Sequence, residues 1–193
     1  MTVRDAARDA YREALPALLA SLVGGLLAGV VLSGMRAELR AVPGLLVLVP
    51  ALLATRGNVY GSLGARISTA LHQGLIEPRV RGGDERLRAA VAAALSNGLL
   101  ASSFAAVAVF LILTLFGDAV APLPVLVAIA LVAGSLSGVA LSAVVVTAVF
   151  AGYRRGRDPD TLVGPLVTTT GDVFGVLFLL AAVRLVLFVA GVI

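Results

Sequence analysis

The chain of 193 residues contains no cysteine, no tryptophan and no lysine, and its one histidine is His72. Without cysteine it can form no disulfide bond, no thiolate metal site and no thiol nucleophile. Only 13% of the residues are charged, whereas a typical soluble domain has about 25%. All fifteen cations are arginines, and they form no continuous basic patch along the chain. The high isoelectric point therefore gives no reason to expect nucleic acid as a partner.

Apolar residues dominate what is present. They make up 60% of the chain, and the mean hydropathy is +1.05, so too little polar surface is available to cover a soluble globule. Because a helix needs about 20 apolar residues to cross a bilayer, the sequence predicts an all-α polytopic membrane protein in which one domain covers residues 1–193. We expect a short cytoplasmic leader over residues 1–14 and five transmembrane helices, at about 15–34, 43–73, 87–116, 122–152 and 161–189.

The placement of arginine predicts the orientation of these spans. With five spans, the leader, the loop after the second span and the loop after the fourth span lie on one side of the membrane, and the opposite side holds Arg36 and Arg40. Arginine is enriched in cytoplasmic loops, so we expect the N-terminus inside the cell and the C-terminus outside, in the plasma membrane. The leader is either an amphipathic helix on the membrane surface or a solvated segment. The arginines of the three predicted cytoplasmic segments are Arg4, Arg8, Arg12, Arg79, Arg81, Arg86, Arg88, Arg154, Arg155 and Arg157.

One acidic residue lies deep inside a span. Asp172 is eleven residues into the fifth span, which is about 16 Å from the cytoplasmic end. A charge at this depth costs about 2.5 kcal/mol or more and usually serves function. Thr168 and Thr169 lie one helical turn earlier, and Pro165 frees a backbone carbonyl. A carboxylate with carbonyl oxygens suits a hard cation such as Mg²⁺, Ca²⁺ or Mn²⁺.

A structural role for this acid is the alternative. Asp172 could pair with an intramembrane arginine, for which Arg56, Arg66 and Arg184 are the candidates. The run Asp158-Pro159-Asp160 at the start of the fifth span reads as an acidic helix cap with proline near the first helical position. Its acids could also attract cations to the cytoplasmic mouth.

A second polar cluster lies in the second span. Gly57, Gly61 and Gly64 recur at helical spacing, and Asn58 and Ser62 are four residues apart on one face. This stripe is typical either of a pore lining or of tight polar packing between helices.

At these two clusters the sequence resembles the membrane domain of MgtE-type magnesium transporters, and more closely that of its archaeal and eukaryotic solute-carrier relatives. The resemblance implies a homodimer in which the second and fifth helices line an ion path between the subunits. It implies that Asp172 holds a largely hydrated Mg²⁺, flanked by backbone near Thr168 and by the residue at Gly164. The matching segments are Pro50, Gly57-Asn58, Ala65–Ala70, Asp158-Pro159-Asp160, Pro165–Thr169 and Gly171-Asp172.

Two departures from the family pattern bear on the choice of ion. Bacterial members often have Gly-Gly-Asn with a glutamine four residues after the asparagine, whereas this chain has Arg56-Gly57-Asn58 and Ser62. Some members have asparagine where this chain has Gly164. The resemblance therefore leaves Mn²⁺ or another divalent cation open beside Mg²⁺.

The leading hypothesis is a divalent-cation transporter or channel. Two copies of Asp172 related by a twofold axis would supply two negative charges for one divalent ion. The alternative is a membrane-embedded substrate-binding subunit of a larger importer. We expect no enzyme, because the usual nucleophiles and acid–base pairs are missing from the spans. The predicted metal residues are Asp172, Thr168 and Gly164, and the predicted pore-lining residues are Asn58, Ser62, Thr169, Pro165 and Gly57.

Overall fold

Long helices account for almost all of the described chain. The structure is a computed structural model that describes residues 3–79, 84–156 and 159–191, without the side chains of residues 3–10, 12–14, 16–17 and 159–163. These parts contain no strand. Their six helices are α1 (Val3–Gly34), α2 (Arg36–Ala41), α3 (Leu45–His72), α4 (Glu85–Phe116), α5 (Leu123–Arg154) and α6 (Pro159–Val189).

By length and composition, α3, α4, α5 and α6 can each cross a membrane. In α1 the described apolar part is shorter and covers Leu18–Gly34. The all-α prediction is confirmed, and the layout of five spans agrees with these helices. The short helix α2, in the connection between the first two spans, was not predicted.

The predicted leader is helical and continuous with the first span, because α1 begins at Val3 and has no break before Gly34. Helix α6 begins at Pro159, in agreement with the predicted position of proline at a helix start. Several predictions concern side chains outside the described set. These are the leader arginines Arg4, Arg8 and Arg12, the loop arginines Arg81 and Arg157, and the acids Asp158 and Asp160 of the predicted cap.

Local sequence signals fix both ends of α4. The carboxylate of Asp84 accepts hydrogen bonds from the backbone N–H groups of Arg86, at 2.9 Å, and Leu87, at 3.3 Å, which caps the helix start. The helix ends at Gly117, whose φ of 74° lies in the left-handed region that favours glycine. Asp84 is thereby occupied with capping.

Helix α5 lies at the centre of the bundle and packs on α3, α4 and α6, while α1 packs on the far side of α6. Small residues allow this close packing. A Cβ atom at Gly134 would lie 3.0 Å from the Ser102 hydroxyl, and the Tyr60 hydroxyl lies against Gly138. The core is apolar, with Leu141 and Val145 fully buried.

Contacts between loops define the two ends of the bundle. At one end the Arg154 guanidinium donates to the Pro78 carbonyl, and the Tyr153 hydroxyl donates to the Leu71 carbonyl at 3.4 Å. At the other end the loop before α5 is tied to the loop before α3 by a hydrogen bond of 2.9 Å. The connection after α3 and the end of α5, both rich in arginine, therefore lie at the same end of the molecule.

Candidate cation site

Asp172 lies on a strip of α6 between two helix contacts. Thr169, three residues earlier, packs against α1, and Gly175, three residues later, packs against α3. Among the described residues, α1 and α3 each pack on α6 but make no extensive contact with one another. The half-buried Asp172 side chain therefore lies on the face of α6 between the α1 contact and the α3 contact.

On the α1 side of this face, small residues allow α1 and α6 to approach each other closely. A Cβ atom at Gly24 would lie only 2.6 Å from Cγ2 of Thr169, so only glycine allows this spacing. The Ser21 hydroxyl oxygen lies 3.3 Å from the Thr169 hydroxyl and 3.4 Å from the Thr168 hydroxyl. Ser21 thus adds a hydroxyl one helical turn from Asp172.

The Thr168 hydroxyl is exposed and turned back towards its own helix. It donates to the carbonyl oxygens of Gly164, at 3.1 Å, and Pro165, at 3.0 Å. Its proton is used by the backbone, so the lone pairs of its oxygen remain available to a cation or to a water molecule. Gly164 is also exposed, and a Cβ atom there would meet nothing within 4 Å.

The proposed structural pairing of Asp172 is not present among the described side chains. The Nε of Arg184 instead forms an ion pair of 2.8 Å with Glu38 of α2. Arg56 is buried, with no hydrogen-bond partner in the described part of the chain. Arg66 is exposed on α3 and forms no ion pair with a described acid. Among the described side chains, no cation is therefore in contact with the Asp172 carboxylate.

The second predicted cluster forms a polar groove between α3 and α4. Asn58 and Ser62 are both exposed, and together with Arg66 and Asn97 they line a space of about 230 Å³. A Cβ atom at Gly57 would meet nothing within 4 Å. The α3 stripe is therefore open in the described part of the single subunit, with space at the Cβ position of Gly57.

The two clusters remain separate within one subunit. Helix α3 reaches α6 through Leu53 and Arg56, which lie against Gly175. The groove that holds Asn58 and Ser62 is lined by α3 and α4. Within the described part of one subunit, the α3 stripe and Asp172 therefore line no common groove.

Comparison with known families decides the general function. The family MgtE, described as a divalent cation transporter, matches residues 49–182, which is more than half of the chain. The chain belongs to this family. A search of curated proteins found no match. The matched region begins near the start of α3 and ends in α6, so it contains both polar clusters.

As a member of the MgtE family, the chain is a multi-pass membrane protein of a transporter family whose cargo is divalent cations. The donor set near Asp172 is compatible with such a cargo. Among the described residues, no three His, Cys, Asp or Glu side chains lie close enough together to hold a metal ion. One carboxylate with hydroxyl and carbonyl oxygens suits a hard cation that keeps most of its water.

Two residues near Asp172 were not identified as its neighbours from the sequence. Ser21 lies in an apolar span and carries no local signal of contact with α6. The sequence presents Arg56 as a departure from the family's Gly-Gly-Asn and as a candidate ion-pair partner of Asp172, whereas in the structure it lies buried against Gly175. The small residues Gly24 and Gly175 are the only sequence sign of these close approaches.

Proposed function

We propose that the protein transports Mg²⁺ as a homodimer, with Asp172 of each subunit holding the hydrated ion at the centre of the path. The observation that supports this most strongly is the half-buried Asp172, which has no ion-pair partner among the described residues and lies beside an opening between two membrane helices. A carboxylate in such a position is costly unless it faces water, an ion or another subunit.

The exposed polar stripes supply the argument for a second copy. Thr168 and Gly164 on α6, and Asn58 and Ser62 on α3, are exposed in the single subunit, at positions that lie within membrane spans. Contact with lipid would leave the amide of Asn58 without hydrogen-bond partners, whereas the Thr168 hydroxyl and the Gly164 carbonyl are bonded to each other within α6. Burial of both stripes between two copies would place two Asp172 carboxylates near one axis.

The chemistry of the ion supports weak, water-mediated contact. Mg²⁺ loses its water reluctantly and usually keeps several water molecules when a protein binds it. Carboxylate, hydroxyl and carbonyl oxygens at Asp172, Thr168 and Gly164 would hold that hydration shell, with Pro165 and Thr169 beside them. Such contacts allow the ion to leave. Mn²⁺ has the same preference for oxygen ligands and is the competing cargo.

The proposed location is the plasma membrane, with the N-terminus in the cytoplasm. The exposed arginines Arg79, Arg154 and Arg155 share one end of the bundle, as the enrichment of arginine in cytoplasmic loops requires.

Flux through reconstituted protein tests the proposal. Asp172→Asn keeps the shape of the side chain and removes its charge, so it should abolish Mg²⁺ uptake into liposomes while the dimer still assembles. The control is Asp118→Asn, which changes an exposed acid in the loop after α4 and should leave uptake unchanged. Undiminished uptake by Asp172→Asn would show that the carboxylate is not the central ligand.

The same assay separates the alternative function. A substrate-binding subunit of a larger importer needs partner subunits, so the purified protein alone would move no ion. Uptake of Mg²⁺ by the purified protein would exclude that alternative.

A further inference from the structure

The guanidinium of Arg56 is buried inside the subunit. The residue is only 4% exposed, and its Nε, Nη1 and Nη2 atoms all lack a hydrogen-bond partner in the described part of the chain. An uncompensated buried charge is costly, and replacement by an apolar side chain of similar size would remove that cost. We therefore expect the Arg56 charge to be stabilised by a nearby negative charge rather than by hydrogen bonds.

The position of Arg56 identifies the partner for such an interaction. Its Nη1 would lie 2.7 Å from a Cβ atom built at Gly175, and Leu53 packs at the same point. Gly175 is three residues after Asp172, which corresponds to about 4.5 Å along the axis of α6. The Arg56 guanidinium therefore lies against α6 at a level about one helical turn from residue 172 along the axis.

Other described charges are less suited to this role. Glu38, the one other acid in contact with α6 among the described residues, is paired with Arg184. Arg66 is exposed in the groove between α3 and α4. Arg56 and Asp172 are thus a buried cation and a half-buried anion on facing helices, each without an ion-pair contact among the described residues.

We propose that Arg56 is the internal counter-cation of Asp172. The proposal rests on the proposed function of Asp172 as the ion ligand. Because the two groups are not in ion-pair contact, Arg56 acts through space, and charge interactions are strong where water is scarce. It stabilises the ionised carboxylate when the path is empty, and it leaves both carboxylate oxygens free for the ion.

The positive charge of Arg56 also lowers the affinity of the site for a divalent ion. Two bare carboxylates in a site of low dielectric constant would bind a divalent cation tightly, and an ion that is held too tightly cannot pass. With one Arg56 for each Asp172, the empty site carries no net charge from these residues. Arg56 is then a positioning residue that sets the affinity for the ion, while Asp172 makes the contact.

Removal of the Arg56 charge tests this proposal in the full-length protein. Arg56→Met should lower the Kd for Mg²⁺, measured by titration of the purified protein in detergent, by about tenfold or more, and should slow uptake at saturating Mg²⁺. Arg56→Lys keeps the charge and should restore an affinity near that of the wild type. The control Arg40→Met removes an exposed charge on α2, away from both polar clusters, and its Kd should stay unchanged.

The melting temperature provides a second measurement, which distinguishes the counter-cation role of Arg56 from a purely structural one. In the ion-free protein, Arg56→Met should lower the melting temperature less when it is combined with Asp172→Asn than on its own, because removing one of two paired charges is costly only while the other charge remains. If Arg56→Met yields no folded protein, Arg56→Gln removes the charge with a polar side chain and makes the same affinity prediction. A Kd for the folded variant that is unchanged or higher than that of the wild type would overturn the proposal.

Asp172→Asn, titrated in parallel, separates this inference from the proposed function. Loss of Mg²⁺ binding in Asp172→Asn together with an unchanged Kd in Arg56→Met overturns the counter-cation role alone. Wild-type binding by Asp172→Asn overturns the proposed function itself.

Discussion

Two of the three arginines that could have paired with Asp172 illustrate how position decides the role of a charged residue. Arg184 is near the end of α6, where its side chain is 61% exposed and reaches Glu38. Arg56 lies inside the subunit, where it is buried. The same residue type therefore stabilises a helix contact near one end of the bundle and supplies a through-space charge in its interior.

The pair of Glu38 and Arg184 has a predictable pH dependence. The hydrogen bond from Arg184 lowers the pKa of Glu38 below its ordinary value of 4.5. A carboxyl with a lowered folded-state pKa contributes stability that is fully present above its unfolded pKa and is lost as pH falls through the lowered pKa. Glu38→Gln should therefore have a lower melting temperature than the wild type at neutral pH, and the difference should shrink as the pH falls below 4.5 and disappear below the lowered pKa.

A matched control for this prediction is available in the loop after α3. Glu77 forms an ion pair of 3.3 Å with Arg79, with both side chains more than 70% exposed, and exposed pairs contribute little. Glu77→Gln should leave the melting temperature unchanged across the same pH range. Equal melting temperatures for Glu38→Gln and the wild type at neutral pH would show that the Arg184 contact does not stabilise the fold.

At the scale of elements, the contact between α1 and α6 determines the position of the strip that carries Asp172. Gly24 and Thr169 form the closest point of this contact, and Ser21 adds a hydroxyl beside it. Helix α1 thus positions the site without contributing a charged group to it among its described side chains.

The requirement for glycine at position 24 can be tested directly. Gly24→Ala places a Cβ atom 2.6 Å from Cγ2 and 3.2 Å from the carbonyl oxygen of Thr169, so α1 must move away from α6. We expect a loss of stability of about 1–3 kcal/mol, as overpacked cores show, together with reduced ion flux. Thermal unfolding in detergent measures the first effect and liposome uptake the second.

The adjacent glycine is the control for this change. A Cβ atom at Gly25 meets nothing within 4 Å, so Gly25→Ala should leave the stability of the subunit unchanged. If the two alanine variants unfold at the same temperature, the close approach of α1 to α6 is not tight.

The limits of the last four long helices could be predicted from the sequence because hydropathy marks the residues that cross the membrane, whereas α1 begins at Val3, well before the predicted first span. The predicted limits of 122–152 lie within two residues of those of α5. Helix α2 could not be predicted in this way, since Arg36–Ala41 is short and contains charged residues. Its position depends on a contact between Glu38 and Arg184, which are 146 residues apart.

For the candidate site, the sequence singled out the residues but not their surroundings. Asp172 stands out because no other acid lies deep in a span, and proline and threonine precede it. The partners on α1 and α3 depend on which helix faces lie together, and hydropathy does not encode this information. Arg56 shows the difficulty, since a charge in a span suggests contact with water or an acid, whereas the residue is buried against Gly175.

At the scale of the whole molecule, the single subunit leaves its polar stripes open. Asn58 and Ser62 are exposed on α3, and Thr168 is exposed on α6, although all of them lie in membrane spans. A twofold assembly would cover both stripes and supply the two carboxylates that one divalent ion requires. The proposed transport mechanism therefore depends on where an ion binds relative to two copies of Asp172.

Anomalous diffraction from crystals grown with Mn²⁺ tests this claim most directly, because Mn²⁺ shares the oxygen ligands of Mg²⁺ and scatters anomalously. If both Asp172 carboxylates hold one ion, an anomalous peak should lie on the twofold axis between them, and it should be lost in Asp172→Asn. Peaks confined to loop acids such as Asp118, or two Asp172 side chains that face lipid on separate sides of the dimer, would contradict it.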